Sequence, residues 1–295
     1  MSVDKSVSTL RKYYSLVKPG VLWGNVITTV AGFLMASGYF QHWSTANFIA
    51  VTAGMTLVIA SACAINNYLD RDIDARMERT KTRAVPAGLI PGQNAVALSI
   101  ILLLAGLIIL AVWVNQLVVA IAVAGWVIYV WLYGALGKRR SKHGTLVGSI
   151  SGAMPILAGY CAVSGRIDSA AVLVFLAIFF WQFPEFYSIA IYRRKEYKAA
   201  GIPVMSLAVG LKNTKIQILI YTVAFIISTL LLTILGYTGW IYFAVMALLG
   251  IYWLNLAVKG LRAGNSDAWA RKMFHFSLII LLAFSAILAL GPILP

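Results

Sequence analysis

Apolar stretches of bilayer length alternate along the chain with short polar breaks. At a rise of about 1.5 Å per residue, about 20 mostly apolar residues carry a helix across the hydrocarbon core. Nine runs meet that requirement, at 20–39, 46–68, 95–114, 117–136, 144–163, 169–191, 216–236, 239–258 and 274–292. The pattern predicts an all-α integral membrane protein, a single transmembrane domain over 1–295 without linker or low-complexity segment. The first run is too long, and too late after Arg11-Lys12, for a cleaved signal peptide, and no small-residue cleavage site is convincing. The N-terminus also lacks a long Arg- and Ser-rich transit segment, which favours the plasma (inner) membrane of a prokaryote.

Composition strengthens this reading: 61% of residues are apolar and 11% charged, and mean hydropathy is +0.87, far from a soluble domain. The net charge of +15 (24 Lys and Arg against 9 Asp and Glu) would suit nucleic acid if it were spread over a surface. Instead it follows the connections. Lys5, Arg11, Lys12 and Lys18 precede the first run; Arg71 to Arg83, Lys138 to Lys142 and Arg193 to Lys215 follow the second, fourth and sixth; Lys259, Arg262, Arg271 and Lys272 precede the last. By that partition 23 of the 24 basic residues share one side, leaving Arg166 on the other. The positive-inside rule then places the N-terminus in the cytoplasm and the C-terminus outside, and the charge is topological, with no nucleic-acid partner.

Two connections on the cytoplasmic side are longer and richer in charge, about 69–94 and about 192–215. They are four spans apart, an even offset, which predicts a same-direction internal repeat. Gly148-x-x-x-Gly152 reads as a helix-packing signal, and Pro155 and Pro184 are expected to kink their spans and free backbone carbonyls. Cys63 and Cys161 lie inside apolar runs and read as buried small hydrophobes, without metal spacing or disulfide framework.

The acids are not scattered. Four of the nine, Asp70, Asp72, Asp74 and Glu78, lie within nine residues at the end of the second run, and charge at a membrane must be paired, solvated or metal-bound. If the helix continues through Glu78, at about 100° per residue Asn66, Asp70, Asp74 and Glu78 fall at about 0°, 40°, 80° and 120°, whereas Asp72 falls near 240°. The first three form the proposed metal face, Glu78 a candidate extension, and Asp72 a partner for Arg76 or Arg79. Carboxylate and amide oxygens suit a hard ion such as magnesium, which takes one or two carboxylates together with substrate phosphates. Arg76, Arg79, Lys81 and Arg83 in the same loop would contact phosphate oxygens. Acids for metal beside bases for phosphate point to a magnesium diphosphate.

At and beyond the end of the sixth run Glu185, Tyr187, Arg193, Arg194, Lys195 and Glu196 gather on the same side. Glu185 and Glu196 are eleven residues apart, three helical turns, so they are expected to face one way as further metal ligands, with Arg193 and Lys195 beside them for diphosphate. Two acidic helices would thus hold ions against one departing diphosphate, easing heterolysis of a carbon–oxygen bond. His143, His275 and His42 read as interfacial side chains, with axial ligation of a haem a candidate role for His143 and, with no better support, for His275.

The run Asn66-Asn67-Tyr68-Leu69-Asp70-Arg71-Asp72-Ile73-Asp74, followed by Met77-Glu78-Arg79-Thr80-Lys81-Thr82-Arg83, resembles the first aspartate-rich motif of the UbiA-type intramembrane prenyltransferases. Lys18-Pro19-Gly20, Gly144 to Gly148-Ser149 through Gly159-Tyr160, and Trp181-Gln182-Phe183-Pro184 through Gly201-Ile202-Pro203-Val204 resemble the branch of that family that farnesylates haem. The resemblance implies nine helices around a central cavity capped by the two polar cytoplasmic loops. It further implies farnesyl diphosphate bound through magnesium to Asp70 and Asp74 with Asn66 and to the acids of the second cluster, and Arg83, Lys138 and Lys195 on the diphosphate. The farnesyl group would pass to a vinyl group of haem B, with addition of water. Haem B is then substrate, not cofactor, with His143 and Tyr187 as candidate contacts, and a downstream haem-modifying enzyme or terminal oxidase assembly as candidate partner. One position departs from that branch: Glu185 stands where histidine is common, and it is free there to ligate metal or to pair with Arg193. Glu196 replaces the usual aspartate. Transfer to an aromatic quinone precursor or a lipid is the alternative, and a cation-coupled transporter is a remote one, disfavoured because transport sites lie near the midplane.

Overall fold

A computed structural model describes residues 8–137 and 141–295, and every regular element among them is helical. A short α1 (Thr9–Leu16) precedes α2 (Pro19–Tyr39) and α3 (Thr45–Leu69), and a four-residue α4 (Arg71–Asp74) follows. Then come α5 (Gly92–Trp113), α6 (Gln116–Val127, continued by π-helix over Ile128–Gly137), α7 (Gly144–Ser164) and α8 (Ser169–Tyr192). Two short helices, α9 (Arg194–Ala199) and α10 (Met205–Ala208), lead to α11 (Gly210–Ile234), α12 (Trp240–Leu261) and α13 (Ser266–Leu290). Among the described residues, nine of these are long and apolar enough to cross a membrane.

The polar breaks act as helix starts. Side chains of Ser44, Asn115, Asp168 and Asn265 accept backbone N–H bonds from Asn47, Val118, Ala171 and Ala268, so that the open first turns of α3, α6, α8 and α13 are satisfied. Two starts differ from expectation: α11 begins at Gly210 instead of 216 and α13 at Ser266 instead of 274. Hydropathy marks the hydrocarbon core, while the helix runs on into polar residues as long as its backbone bonds continue. Helix α7 runs through Pro155 and α8 through Pro184.

In the packing order α3 lies on α5, α7 on α2 and α8, α8 on α11 and α13, and α13 returns to α2. Where α2 crosses α7 the backbones touch. A Cβ at Gly32 would collide with the Ile156 carbonyl oxygen, and one at Gly159 with that of Thr29. Further along, Phe183 stacks on Tyr221 at 3.8 Å and binds α8 to α11. Outside, Ile100, Ile101, Leu104 and Ile108 of α5 are exposed, a face that only lipid can cover favourably.

Candidate active site

Helices α2, α3, α6 with its π segment, α7, α8 and α13 surround a cavity of about 790 Å³. One end is charged and the other apolar. At the charged end α3 stops at Leu69, but backbone bonds from Asp70 N to Asn66 O and from Asp74 N to Asp70 O keep the i, i+4 register to Asp74. Asn66, Asp70 and Asp74 are all buried. Asn66 and Asp74 line the cavity; Asp70 lies behind them, outside its lining. Past Asp74 the bonds shorten to i, i+3, Arg76 N to Ile73 O and Met77 N to Asp74 O, and the proposed helical face ends. Glu78 is consequently not on it: its side chain is 81% exposed and pairs with Lys81 at 2.6 Å. Asp72 is exposed.

The bases divide similarly. Arg83 binds Asp74 Oδ2 at 2.6 Å and lines the cavity with Arg79, whereas Arg76 and Lys81 are exposed away from it. Lys138 lies outside the described residues. On the opposite wall Glu185 and Arg193 line the cavity, but they do not pair; Arg193 binds Glu196 Oε1 at 2.7 Å instead. The cause is local: α8 ends at Tyr192, Arg193 caps it, and the new helix α9 sets Glu196 three residues away. The continuous face expected to align Glu185 with Glu196 is thereby broken, and Glu196 and Lys195 lie off the cavity lining. Partial burial works against the Arg193 charge, but hydrogen bonds to Tyr192 and Glu196 outweigh it and raise its pKa above the ordinary arginine value. His143, the residue before α7, is exposed, and Tyr187 is buried against Phe183 and Tyr221, so neither reaches the cavity. Cys63 and Cys161 are free and buried.

Several lining residues have no task assigned by spacing or motif. Lys18 takes left-handed backbone angles, φ 51° and ψ 71°, directly before Pro19, a conformation unfavourable for a non-glycine residue and doubly so before proline. Its ammonium donates to Asn66 Oδ1. Such strain costs about 1–3 kcal/mol and concentrates at functional sites. The neighbouring Asn67 points the other way and donates to the backbone oxygens of Leu16, at 2.7 Å, and Cys63. Tyr129 and Tyr133 come from the π segment, a helix form frequent at functional sites. Tyr133 lies over Gly148, and the Gln182 side chain occupies the space a Cβ of Gly152 would need; the small-residue pair packs cavity side chains.

Among the described residues no three His, Cys, Asp or Glu side chains converge as a metal cage. A hard ion completed by substrate phosphates requires none. Asp74, the Asn66 amide oxygen and Glu185 supply oxygen donors on the cavity wall, with Lys18, Arg83 and Arg193 around them, a donor set that fits magnesium.

This fold and site define a polytopic membrane protein whose cavity joins a mouth of cations and acids to an apolar shaft. The model of the UbiA prenyltransferase family matches residues 25–279, and the chain belongs to that family. It is 44% identical over 280 residues to a Yersinia enterocolitica protein named protoheme IX farnesyltransferase, covering 95% of this chain and 94% of that one. A Photorhabdus laumondii protein of the same name is 41% identical, with 97% of each chain covered. Among solved structures, a digeranylgeranylglyceryl phosphate synthase study gives a TM-score of 0.80 at 22% identity over 96% of this chain and 98% of that one. A UbiA homologue from Archaeoglobus fulgidus bound to DMAPP and Mg2+ gives 0.70 at 14% identity, over 94% and 99%. The protein is a prenyltransferase.

Proposed function

We propose that the protein transfers the farnesyl group of farnesyl diphosphate to a vinyl group of haem B, with addition of water, to give haem O. The near-full-length identity to bacterial proteins named for that reaction carries the acceptor; the charged mouth and apolar shaft fit the donor. The diphosphate lies at the mouth, its oxygens neutralised by Lys18, Arg83 and Arg193. Asp74, Asn66 and Glu185 would hold magnesium, the ion bound by the archaeal homologue of the same fold, with the buried Asp70 next to them in the same i, i+4 register. The ion supplies charge neutralisation of the leaving group, which such sites provide before the bond breaks.

Heterolysis of the carbon–oxygen bond gives diphosphate and an allylic cation. Trp126, Tyr129 and Tyr133 line the cavity, where their π faces stabilise positive charge. The Trp126 indole is fixed by donating to Ser61 Oγ, itself hydrogen-bonded to Ser99. The vinyl π electrons then form the new carbon–carbon bond, and water captures the resulting cation and releases a proton. Chelated haem iron takes no part. The site faces the cytoplasm of a bacterial plasma membrane, the side on which the basic connections gather, and a haem-modifying enzyme or terminal oxidase assembly receives the product.

Purified protein given farnesyl diphosphate, magnesium and haem B is expected to yield a more hydrophobic haem heavier by one farnesyl group and one hydroxyl group, and chelation of magnesium to stop its formation. An unchanged haem beside a prenylated quinone precursor would replace haem as the acceptor. Lys18→Met is expected to raise KM for farnesyl diphosphate about tenfold, through loss of a charge-assisted contact of about 1.5–3 kcal/mol; an unaltered KM would remove Lys18 from the diphosphate site.

A further inference from the structure

Inward from the mouth, the cavity wall becomes apolar and then stops. On α3 the lining runs from Asn66 to Met55, and on α7 from Gly144 to Pro155, eleven residue steps in each case. At 1.5 Å per residue that is a shaft about 16 Å deep. Its end is closed by two different materials. On one side the lining residues Thr28 and Pro155 lie just above the crossing where Gly32 and Gly159 bring the α2 and α7 backbones into contact, a barrier no side-chain rotation opens. On the other, Met55 of α3, Ala122 of α6 and Met154 of α7 form the remaining floor. Met154 folds over Gly125, where a Cβ would stand 3.1 Å from its Cβ and Cγ. Beyond them Val51 and Val118 are fully buried in the continuous core.

The depth separates prenyl donors. An extended chain advances roughly 3.3–3.6 Å per three bonds, as peptides do. The main chain of a farnesyl group, about twelve bonds, then reaches about 13–14 Å, and that of a geranylgeranyl group, about sixteen bonds, about 18–19 Å. A shaft of about 16 Å takes the first and stops the second. We propose that Met55, Met154 and Ala122 are the chain-length ruler of this enzyme, limiting its donor to three isoprene units through the soft half of the floor. The inference rests on the prenyl transfer proposed above and adds the residues that select the donor. Both methionines are unbranched thioethers that fill irregular apolar gaps, so they close against a farnesyl terminus, while the buried Val51 and Val118 beyond them leave no space for another isoprene unit.

The test is a competition between geranyl, farnesyl and geranylgeranyl diphosphates at equal concentration, with magnesium and haem B, products being read by mass. The Met55→Ala/Met154→Ala variant is expected to raise the ratio of geranylgeranylated to farnesylated haem by at least about tenfold, the scale on which apolar pockets discriminate by size. Ala122→Phe, which shortens the shaft, is expected to move the ratio toward geranyl. A geranylgeranyl ratio within about twofold of the parent enzyme in the first variant, with farnesyl transfer retained, would overturn the ruler. Should the double variant fail to fold, the single variants and Ala122→Phe decide the question by the same ratios. Absence of any prenylated haem from the parent enzyme would strike the acceptor and not the floor. The ruler is then read from protection against thermal unfolding by each diphosphate with magnesium: preference for farnesyl in the parent and gain of geranylgeranyl in the double variant support it, and identical preferences overturn it.

Discussion

Asp74→Asn is expected to lower kcat/KM for prenyl transfer by about 10²–10³-fold, the loss typical when one preorganised electrostatic contact to a developing charge is removed. Asp74 is the carboxylate of the first cluster that both lines the cavity and holds a cation, Arg83, at 2.6 Å. Asparagine keeps the shape and removes the charge, so a metal–diphosphate complex loses an anionic ligand while Arg83 loses its partner. The Arg83 side chain is 25% exposed and can turn toward water, so the unfolding temperature is expected to move little. Steady-state kinetics over a magnesium titration check this: partial rescue at high magnesium identifies a weakened metal site. Retained activity at ordinary magnesium would remove Asp74 from the reaction. Asp70→Asn is expected to lower kcat/KM as well, since its fully buried carboxylate stands between Asn66 and Asp74 in the same i, i+4 register; an unaltered magnesium dependence in that variant would exclude it from the metal site.

The second large effect falls on folding. Gly159→Val is expected to abolish accumulation of folded protein, since the added Cβ meets the Thr29 carbonyl and the next backbone atoms of α2. Overpacking costs about 1–3 kcal/mol where side chains can shift, and more where the obstacle is backbone. Gly20→Ala is the matched control, with nothing within 4 Å of the added carbon, and is expected to fold normally. Fluorescence-detected size exclusion of the two variants in detergent gives the comparison; a monodisperse Gly159→Val peak at parental yield would show that α2 and α7 can separate.

Hydropathy located the spans because lipid imposes a length, yet it placed the starts of α11 and α13 too late, since backbone bonding continues beyond the hydrocarbon. The acidic register was legible through Asp74, where i, i+4 bonds persist, and failed at Glu78, where tighter turns take over. Glu196 was misplaced for a related reason, as the cap at Arg193 resets the direction of the chain before α9. Lys18 could not be located by periodicity. Its approach depends on a left-handed backbone that the sequence disfavours, and the tyrosines of the π segment depend on a helix form that no spacing announces. Motif resemblance marked Lys18-Pro19-Gly20 without assigning the lysine a task.

The adjacent amides Asn66 and Asn67 tie the N-terminal segment to the wall of the cavity. One receives the Lys18 side chain and the other grips the Leu16 carbonyl two residues upstream, so that a hydrogen-bonded clasp fastens both ends of the Leu16–Lys18 turn to α3. Whatever unseats Leu16 slackens that clasp and releases the lysine from its left-handed pose. Purification handles for this enzyme therefore belong well clear of α1, and a shortened N-terminus is expected to blunt turnover before it lowers the melting temperature.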